Sequence, residues 1–391
     1  MTDAPMLLLR NADVYAPESV GLRHLLLAGG KIVWMGTEDP GLPAALGVQA
    51  IDLHGQRLIP GFIDAHVHVS GGGGEAGFAT RVPAPLLSRY TMAGVTSVIG
   101  LLGTDTVTRS TEELLSHVYG LREQGLNAWA WLGGYHLPIR TLTGSVRGDI
   151  ALLEPMLGIG ELAISDHRSS QPTLDELLRT AAEAHVAGLM SGKAGIVHLH
   201  LGDGRRGLEL VRQALVVSEL PARVFQPTHV NRRKALFEEA IELARRGCHI
   251  DITAFPVEDG EDAWPASVAL RRYLDSGAPP QRVSISSDAG GCLPCFDGEG
   301  RVCGMDVGQS GSLIQTLREV LADGLALERA LPAFTCNVAE LLRLPGKGRI
   351  AVGADADLVA LDAEGAIDAV WARGTAQVQG GRALRHGTFE H

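Results

Sequence analysis

The chain has 391 residues, of which 45% are hydrophobic and 20% charged, and this length and composition are those of a soluble globular protein with a large core. The formal net charge of −11 argues against nucleic acid as a partner, because nucleic-acid binding needs a basic surface. No apolar segment approaches the ~20 residues of a membrane span, and the N-terminus lacks the pattern of a signal peptide, so we expect no membrane association.

The two ends of the chain share one pattern. Residues 6–55 and 349–388 contain short apolar runs separated by turn signals such as Ala28-Gly29-Gly30 and Gly380-Gly381. Neither end is long enough to form a robust core alone. We therefore predict one small β-sandwich domain built from both termini, residues 1–55 plus 349–391, beside a larger domain of residues 56–348.

In the larger domain, short apolar runs alternate with amphipathic helical patterns. Capping-box spacing at Ser110/Glu113 and at Thr173/Glu176 predicts two of the helix starts. Eight strands alternating with helices predict an α/β fold in which a parallel sheet closes as a (β/α)8 TIM-type barrel. The predicted strands are Leu58–Ala65, Ser97–Leu102, Ala128–Gly133, Ile159–Ser165, Gly195–Leu199, Arg223–Thr228, His249–Ala254 and Arg282–Ser287.

Residue types that commonly bind metals lie at the ends of several predicted strands. The first strand runs into His66 and His68, and residues two apart on a strand share a face, so both imidazoles can bind one metal ion. His200, His229 and Asp288 close three later apolar runs. Because such barrels carry their chemistry at the C-terminal ends of their strands, these residues predict a metal centre there.

Longer segments around these residues are also informative. They are HVHVSGGGGEAG, GLLGTD, GGYHLPIRTLTGSV, AISDHRS, HLGD, PTHVNR, SSD and GKGRIAVGADADL, and together they extend over essentially the whole chain. This set resembles the amidohydrolase superfamily and, within it, the isoaspartyl (β-aspartyl) dipeptidase family. The resemblance implies a cytoplasmic, homo-oligomeric metallo-dipeptidase whose partner is a small β-aspartyl dipeptide substrate.

The resemblance also implies a role for each motif residue. Two divalent metal ions, with zinc favoured, would be held by His66, His68 and Asp288 on one side and by His200 and His229 on the other. A metal-activated hydroxide would attack the scissile carbonyl, with Asp288 as proton shuttle. The implied oxyanion donor and substrate-binding residues are Tyr135, Glu75, Gly73, Thr104, Arg168 and Arg232, where Glu75 pairs with the α-ammonium and the arginines hold the leaving residue's carboxylate. Arg233 is the neighbour that could be confused with Arg232.

Two positions depart from the family pattern. Glu161 stands where the family has a carboxylated lysine that bridges the metals, and its carboxylate has roughly 3–4 Å less reach. Either Glu161 bridges because the fourth strand moves inward, which we favour, or the metals sit differently, or one metal binds. Cys292 replaces a pocket serine and could be a weak donor or a soft metal ligand.

Other histidine and cysteine residues are weaker candidates. His198 shares a strand face with His200 and is expected one layer deeper in the barrel, and Lys193 is not expected to replace the bridging lysine. The five cysteines are odd in number and lie in the second half of the chain, which suits a reducing compartment. Cys292, Cys295 and Cys303 are therefore expected to be reduced rather than to form a zinc site.

Two other functions remain open from the sequence. The enzyme could act on another small amide, an N-acyl amino acid or a cyclic imide, or the chain could be a non-catalytic barrel homologue. Glu75 distinguishes a dipeptide from another small amide, because only a substrate with a free α-amino group needs that carboxylate. Retention of Asp288 and of the histidine set argues against a barrel without chemistry.

Overall fold

The computed structural model describes residues 6–296 and 302–390, with the backbone alone for residues 294–296 and 302–303. The strands before the first barrel helix are β1 (Leu7–Tyr15), β2 (Ser19–Ala28), β3 (Lys31–Gly36), β4 (Gln49–Asp52), β5 (Arg57–Pro60) and β6 (Phe62–Val67). The later strands are β7 (Val95–Gly100), β8 (Asn127–Leu132), β9 (Met156–Ile164), β10 (Val197–Leu201), β11 (Phe225–Thr228), β12 (Ile250–Thr253), β13 (Val283–Ser286), β14 (Cys292–Phe296), β15 (Val302–Val307), β16 (Leu358–Leu361), β17 (Ile367–Ala372), β18 (Thr375–Gln379) and β19 (Arg382–Ala383).

Helices cover the outside of the barrel strands. They are α1 (Leu87–Thr91), α2 (Thr111–Glu123), α3 (Val146–Leu152), α4 (Leu174–Ser191), α5 (Glu209–Val217), α6 (Lys234–Arg245), α7 (Ala266–Asp275), α8 (Gly311–Ala322), α9 (Leu327–Ala330) and α10 (Cys336–Leu342). The predicted capping box is confirmed at α4, where Glu176 N donates to Thr173 Oγ1 at 3.3 Å and Thr173 N donates to Glu176 Oε2 at 2.8 Å. Across the described ranges, no helix is both long and apolar enough to cross a membrane.

Strands from both ends of the chain form one nine-stranded sheet, in the order β19-β18-β17-β16-β5-β1-β2-β3 with β4 beside β1. The two ends meet at β5, which is parallel to β1 and antiparallel to β16. This sheet has its own cluster of buried side chains, among them Leu9, Leu25 and Trp371. The apolar runs at both ends therefore bury their side chains against each other.

Parallel strands β6–β11 form one curved sheet in sequence order, and β12 and β13 form a further parallel pair. The sheet and the pair meet at β6, where His68 N donates to Ala289 O at 2.8 Å. Asn231, which follows β11, connects to β12 through its side chain, because its Nδ2 donates to Thr253 O and its Oδ1 accepts from Thr253 N, both at 2.9 Å. The predicted TIM-type barrel is confirmed.

The predicted first barrel strand, Leu58–Ala65, is wrong in one respect. It is two strands, since β5 belongs to the terminal sheet and β6 to the barrel. The chain passes between them at Gly61, where a Cβ atom would lie 2.2 Å from Thr96 Oγ1. An uninterrupted apolar run conceals this change of sheet, because both strands are buried.

A hairpin of β14 and β15 follows Asp288 and pairs Cys292 with Val307. Cys248 and Cys336 are buried and form no disulfide. The side chains of Cys295 and Cys303 lie outside the described residues, so the prediction that they are reduced stays a prediction.

Candidate active site

Four histidines and two carboxylates converge at the C-terminal ends of the barrel strands. They are His66 in β6, His68 after it, Glu161 in β9, His200 in β10, His229 after β11 and Asp288 after β13. His229 and Asp288 have φ angles of 59° and 55°. Residues other than glycine seldom adopt this left-handed conformation, and such strain is concentrated at functional sites.

The Glu161 carboxylate occupies the centre of the cluster. Its Oε2 lies 2.9 Å from His200 Nδ1 and 3.5 Å from His66 Nε2. The same oxygen is 3.5 Å from His229 Nε2, while Oε1 is 3.5 Å from His68 Nε2. The shorter reach of glutamate therefore does not keep the carboxylate out of the cluster, and each oxygen faces a different part of the histidine set.

The donor set fits divalent cations. Two groups of ligand atoms each lie within 4.8 Å of one another, His66 with His68 and Asp288, and His66 with Glu161 and His229. Asp288 Oδ1 is 3.2 Å from His68 Nε2, close to the roughly 3.3 Å between neighbouring ligands of a tetrahedral zinc ion. Within the described part of the chain, His66 Nε2 and Asp288 Oδ1 are buried without a hydrogen-bond partner, an arrangement that a bound cation would compensate.

Charge in the cluster favours ionised carboxylates, and against the opposing effect of burial Glu161 and Asp288 in turn raise the pKa of His66 well above its ordinary value. Burial alone would raise the pKa of Glu161, but the His66 and His200 imidazoles hold it well below its ordinary value. Burial would also raise the pKa of Asp288, but the His66 imidazole lowers it below its ordinary value. Burial lowers the pKa of His229 to about 3. At neutral pH the two carboxylates are therefore ionised and His229 is neutral.

Polar side chains predicted to bind substrate surround one edge of this cluster. Glu75 Oε1 lies 3.1 Å from Thr104 Oγ1 and 3.5 Å from Arg168 Nη1. The Tyr135 hydroxyl is 2.9 Å from His200 Nδ1, and the Arg168 guanidinium lies 5.3 Å from the centre of the Tyr135 ring. Glu75, Thr104, Arg168 and Tyr135 are thus brought together beside the histidines.

Arg109 holds the glycine loop that carries Glu75. It is buried, and its guanidinium donates to the carbonyls of Ser70, Gly72 and Val82. Gly73 has a φ of 72°, and a Cβ atom there would lie 2.5 Å from Thr80 O and 3.4 Å from Cys292 Cβ. Glycine is therefore required where the loop passes Cys292. The sequence offered no signal for Arg109, whose partners are backbone carbonyls.

Comparison with known proteins agrees with this geometry. Residues 57–379 match the amidohydrolase family. The chain belongs to the amidohydrolase family. It is 40% identical to a solved β-aspartyl dipeptidase from Fervidobacterium islandicum AW-1 in complex with β-Asp-Leu dipeptide, with a TM-score of 0.92 over 98% of this chain and 99% of that one. This match confirms the resemblance to isoaspartyl dipeptidases.

More distant relatives of the amidohydrolase share its fold. The allantoinase of Deinococcus radiodurans is 27% identical, and the match covers 94% of this chain and 89% of the relative. A dihydropyrimidinase from Brevibacillus agri has a TM-score of 0.69 at 17% identity, covering 98% of this chain and 97% of that one. The family confirms the expectation of a hydrolase acting on amide bonds.

His198 of the amidohydrolase lies one layer deeper than the cluster, as predicted, and orients His66. Its Nδ1 is 3.0 Å from Gln226 Oε1 and its Nε2 is 2.8 Å from His66 Nδ1, while its ring stacks on Trp131. Because an amide oxygen only accepts, His198 Nδ1 donates to it and Nε2 accepts from His66 Nδ1. In a neutral, metal-binding His66, this hydrogen bond would leave the Nε2 lone pair towards the cluster.

Replacing His198 by phenylalanine tests this orientation. His198→Phe keeps a ring against Trp131 but removes the acceptor for His66 Nδ1, so we expect about 10–100-fold weaker metal binding. Competition with a chromophoric chelator measures the dissociation constant directly. His249→Phe is the matched control, since His249 is buried before β12, at the other end of the barrel. Equal affinities in both variants would contradict the orienting role.

Asp166 is a functional candidate that the sequence analysis missed. Its Oδ2 lies 3.0 Å from His200 Nε2 and 2.8 Å from Arg168 Nη2. Burial would raise the pKa of Asp166, but His200 and Arg168 hold it below its ordinary value. Asp166 therefore joins the cluster to Arg168. Its place directly after β9 was the available signal, because the C-terminal end of each barrel strand faces the site.

Three further residues considered in the sequence analysis lie outside the cluster. Arg232 contacts Asp203, with Nε 3.1 Å from Oδ1, and donates to Leu201 O at 2.7 Å. Arg233, the neighbour that could be mistaken for Arg232 in the sequence, donates to Gly204 O at 3.3 Å. Lys193 Nζ donates to the carbonyls of helix α3 and the loop after it, which confirms that it does not replace the bridging lysine.

Proposed function

We propose that this amidohydrolase is a cytoplasmic, metal-dependent dipeptidase that hydrolyses β-aspartyl (isoaspartyl) dipeptides. One observation carries the proposal: the Glu161 carboxylate lies among four imidazoles, at the position where the family has its bridging lysine. Beside it, Glu75 and Arg168 offer one carboxylate and one guanidinium, which suit the amino and carboxylate groups of a dipeptide.

Two divalent ions, zinc in our proposal, would be held by this set. His66, His68 and Asp288 would bind one ion, His200 and His229 the other, and the Glu161 carboxylate would bridge them. When bound, the ions lower the pKa of a water molecule and polarise the scissile carbonyl. His200 suits ligation through Nδ1, because its Nε2 is 3.0 Å from the Asp166 carboxylate, the usual partner of a metal-ligating histidine.

The protein's own groups would move the protons and hold the substrate. Asp288 would take a proton from water and transfer it to the leaving amine. Tyr135 would donate to the developing oxyanion, and burial favours this role because it raises the pKa of Tyr135 well above the ordinary value. Substrate would be held by Glu75, Gly73, Thr104, Arg168, Arg232 and Cys292.

Glu75 distinguishes a dipeptide from an N-acyl amino acid. Glu75→Gln keeps the side-chain size but removes the charge that would pair with the α-ammonium. We expect KM for β-Asp-Leu to rise about 10–100-fold, the loss of one charge-assisted hydrogen bond. Steady-state kinetics measure KM for this variant and for the control Glu183→Gln, which changes an acid on α4 that pairs with Arg147. An unchanged KM would contradict the assignment and favour a substrate without a free amino group.

The organisation of the chain is part of the proposal. Residues 1–55 and 349–391 would form a small β-sandwich domain, to which β5 adds Arg57–Pro60, and residues 56–348 would otherwise form the catalytic barrel. The joint sheet of both termini and its separate buried cluster support this division. The resemblance to isoaspartyl dipeptidases supports a homo-oligomer.

The experiment that tests the function is metal content per chain together with turnover of β-Asp-Leu in the same preparation. The proposal expects two metals and turnover. Allantoin and N-acetylaspartate serve as comparison substrates, because they lack the free α-amino group. Turnover of either one, with none of β-Asp-Leu, would replace the dipeptidase proposal with another amide. Metal-loaded protein that hydrolyses none of them would favour a non-catalytic barrel.

A further inference from the structure

A cavity lies at the opposite end of the barrel from the histidine and carboxylate cluster. It has a volume of about 180 Å³ and is lined by Arg223, Arg282, Arg343, His249, Asn337 and Glu340, among others. Three of these residues come before their strands, Arg223 before β11, His249 before β12 and Arg282 before β13. The cavity is therefore separate from the dipeptide site, whose residues come at the strands' C-terminal ends.

The charge of this cavity is positive and poorly compensated. Among the described residues, no carboxylate lies within 4.0 Å of the Arg223 or Arg282 guanidinium. Glu340, an acid in the lining, already accepts from Arg349 Nη2 at 2.8 Å. Burial, and then repulsion by Arg343 and Arg282, lower the pKa of Arg223. Three guanidinium groups in one cavity make a local positive potential that attracts anions, although the net charge of the protein is −11.

Buried polar groups make the cavity a prepared site. His249 is only 1% exposed, and its Nε2 has no hydrogen-bond partner among the described residues. The Asn337 amide donates to Pro280 O at 2.8 Å and to Val283 O at 2.9 Å, which fixes the turn that carries Arg282. A fixed backbone at Arg282 leaves only its side chain to be ordered when a ligand binds.

We propose that this cavity binds a small, multiply charged oxyanion of the phosphate type, held by Arg223, Arg282 and Arg343. Guanidinium groups bind such ions with two parallel hydrogen bonds. The volume is below the roughly 300 Å³ of pockets for drug-sized ligands, so it suits an inorganic ion rather than a nucleotide. The proposal does not depend on the dipeptidase assignment, since none of these residues belongs to the metal-ligand cluster.

Isothermal titration of the metal-loaded, full-length protein with inorganic phosphate tests the proposal. We expect saturable binding that weakens at least about tenfold in Arg282→Gln and in Arg223→Gln, the loss of one charge-assisted contact. Arg343 is exposed, so Arg343→Gln should fold normally and still weaken binding. The control Arg318→Gln, exposed on α8, should bind phosphate as the wild type does.

Competition with substrate separates this cavity from the metal site. Phosphate held by the arginines should bind equally well when β-Asp-Leu is present, and the arginine variants should keep the wild-type turnover. Absence of phosphate binding to the wild type would overturn the proposal. So would binding that competes with β-Asp-Leu and is equal in Arg282→Gln, Arg223→Gln and Arg343→Gln, because phosphate would then be at the active site.

Discussion

Asp288→Asn is expected to lower kcat for β-Asp-Leu by about 10²–10⁴-fold, the usual contribution of a general acid–base group. Asp288 Oδ1 lies 3.2 Å from His68 Nε2 and 3.4 Å from His66 Nε2, and no residue that the structure describes forms a hydrogen bond with it. The carboxylate thus faces the reaction centre with a free acceptor atom. An amide has the same shape but does not take a proton at neutral pH, so turnover should be lost.

Metal content distinguishes this role from simple ligation. Asparagine can still offer an oxygen to a cation, and the histidines and Glu161 remain, so metal per chain should stay close to the wild-type value. The matched control is Asp175→Asn, since Asp175 lies exposed on α4 and pairs with Arg179. Substantial turnover by Asp288→Asn would exclude the proton-shuttle role, and loss of metal together with turnover would make Asp288 primarily a ligand.

The architecture and the cluster were predictable from local signals. His66 and His68 stand two apart at the end of an apolar run, and alternation along a strand fixes their common face. The alternation of strands with helices predicted the barrel. Because the active sites of such barrels lie at the C-terminal ends of the strands, His200, His229 and Asp288 were then expected at the same end. Such features depend on residues near each other in the sequence, which is why a single sequence reveals them.

Contacts between distant segments were not predictable in the same way. The change of sheet between β5 and β6 occurs within one apolar run, and only the pairing of β5 with β16 reveals it. Arg109 donates to backbone carbonyls 39 and 37 residues away. Every residue has a backbone carbonyl, so the sequence does not indicate which ones an arginine will contact. His198 could be placed in the deeper layer by strand spacing, but its hydrogen bond to His66 depends on strand order and ring orientation.

Glu161 shows that the length of a side chain does not by itself place its carboxylate. A glutamate carboxylate has less reach than a carboxylated lysine, which is why the sequence left a displaced or single-metal site open beside the favoured bridge. In the barrel its carboxylate nevertheless lies within 3.5 Å of nitrogen atoms from His66, His68 and His229. The distance between the carboxylate and the metal ligands depends on the positions of the surrounding imidazoles as well as on the length of the glutamate side chain.

Glu161→Gln is therefore expected to have the second large effect, the loss of at least one metal ion per chain and of turnover with it. Glutamine fills the same volume but removes the charge that balances the imidazoles, and His200 Nδ1 loses a carboxylate partner at 2.9 Å. Metal analysis after dialysis and kcat for β-Asp-Leu measure both effects. The control Glu176→Gln alters an exposed acid in the α4 capping box and should retain full metal and turnover. Unchanged metal content in Glu161→Gln would exclude the bridge.

Glu161→Lys separates a bridging role from a merely structural one. A lysine here would bring a positive charge into the histidine cluster, so the variant should lose metal and activity in carbon dioxide-free buffer. Added bicarbonate would allow the amine to become a carbamate, which restores a carboxylate and should restore both metal content and turnover. A bicarbonate-dependent recovery, absent from the wild type and from Glu161→Gln, would show that a carboxylate is required here. A Glu161→Lys variant as active as the wild type without bicarbonate would show that the amidohydrolase does not need a bridging carboxylate at this position.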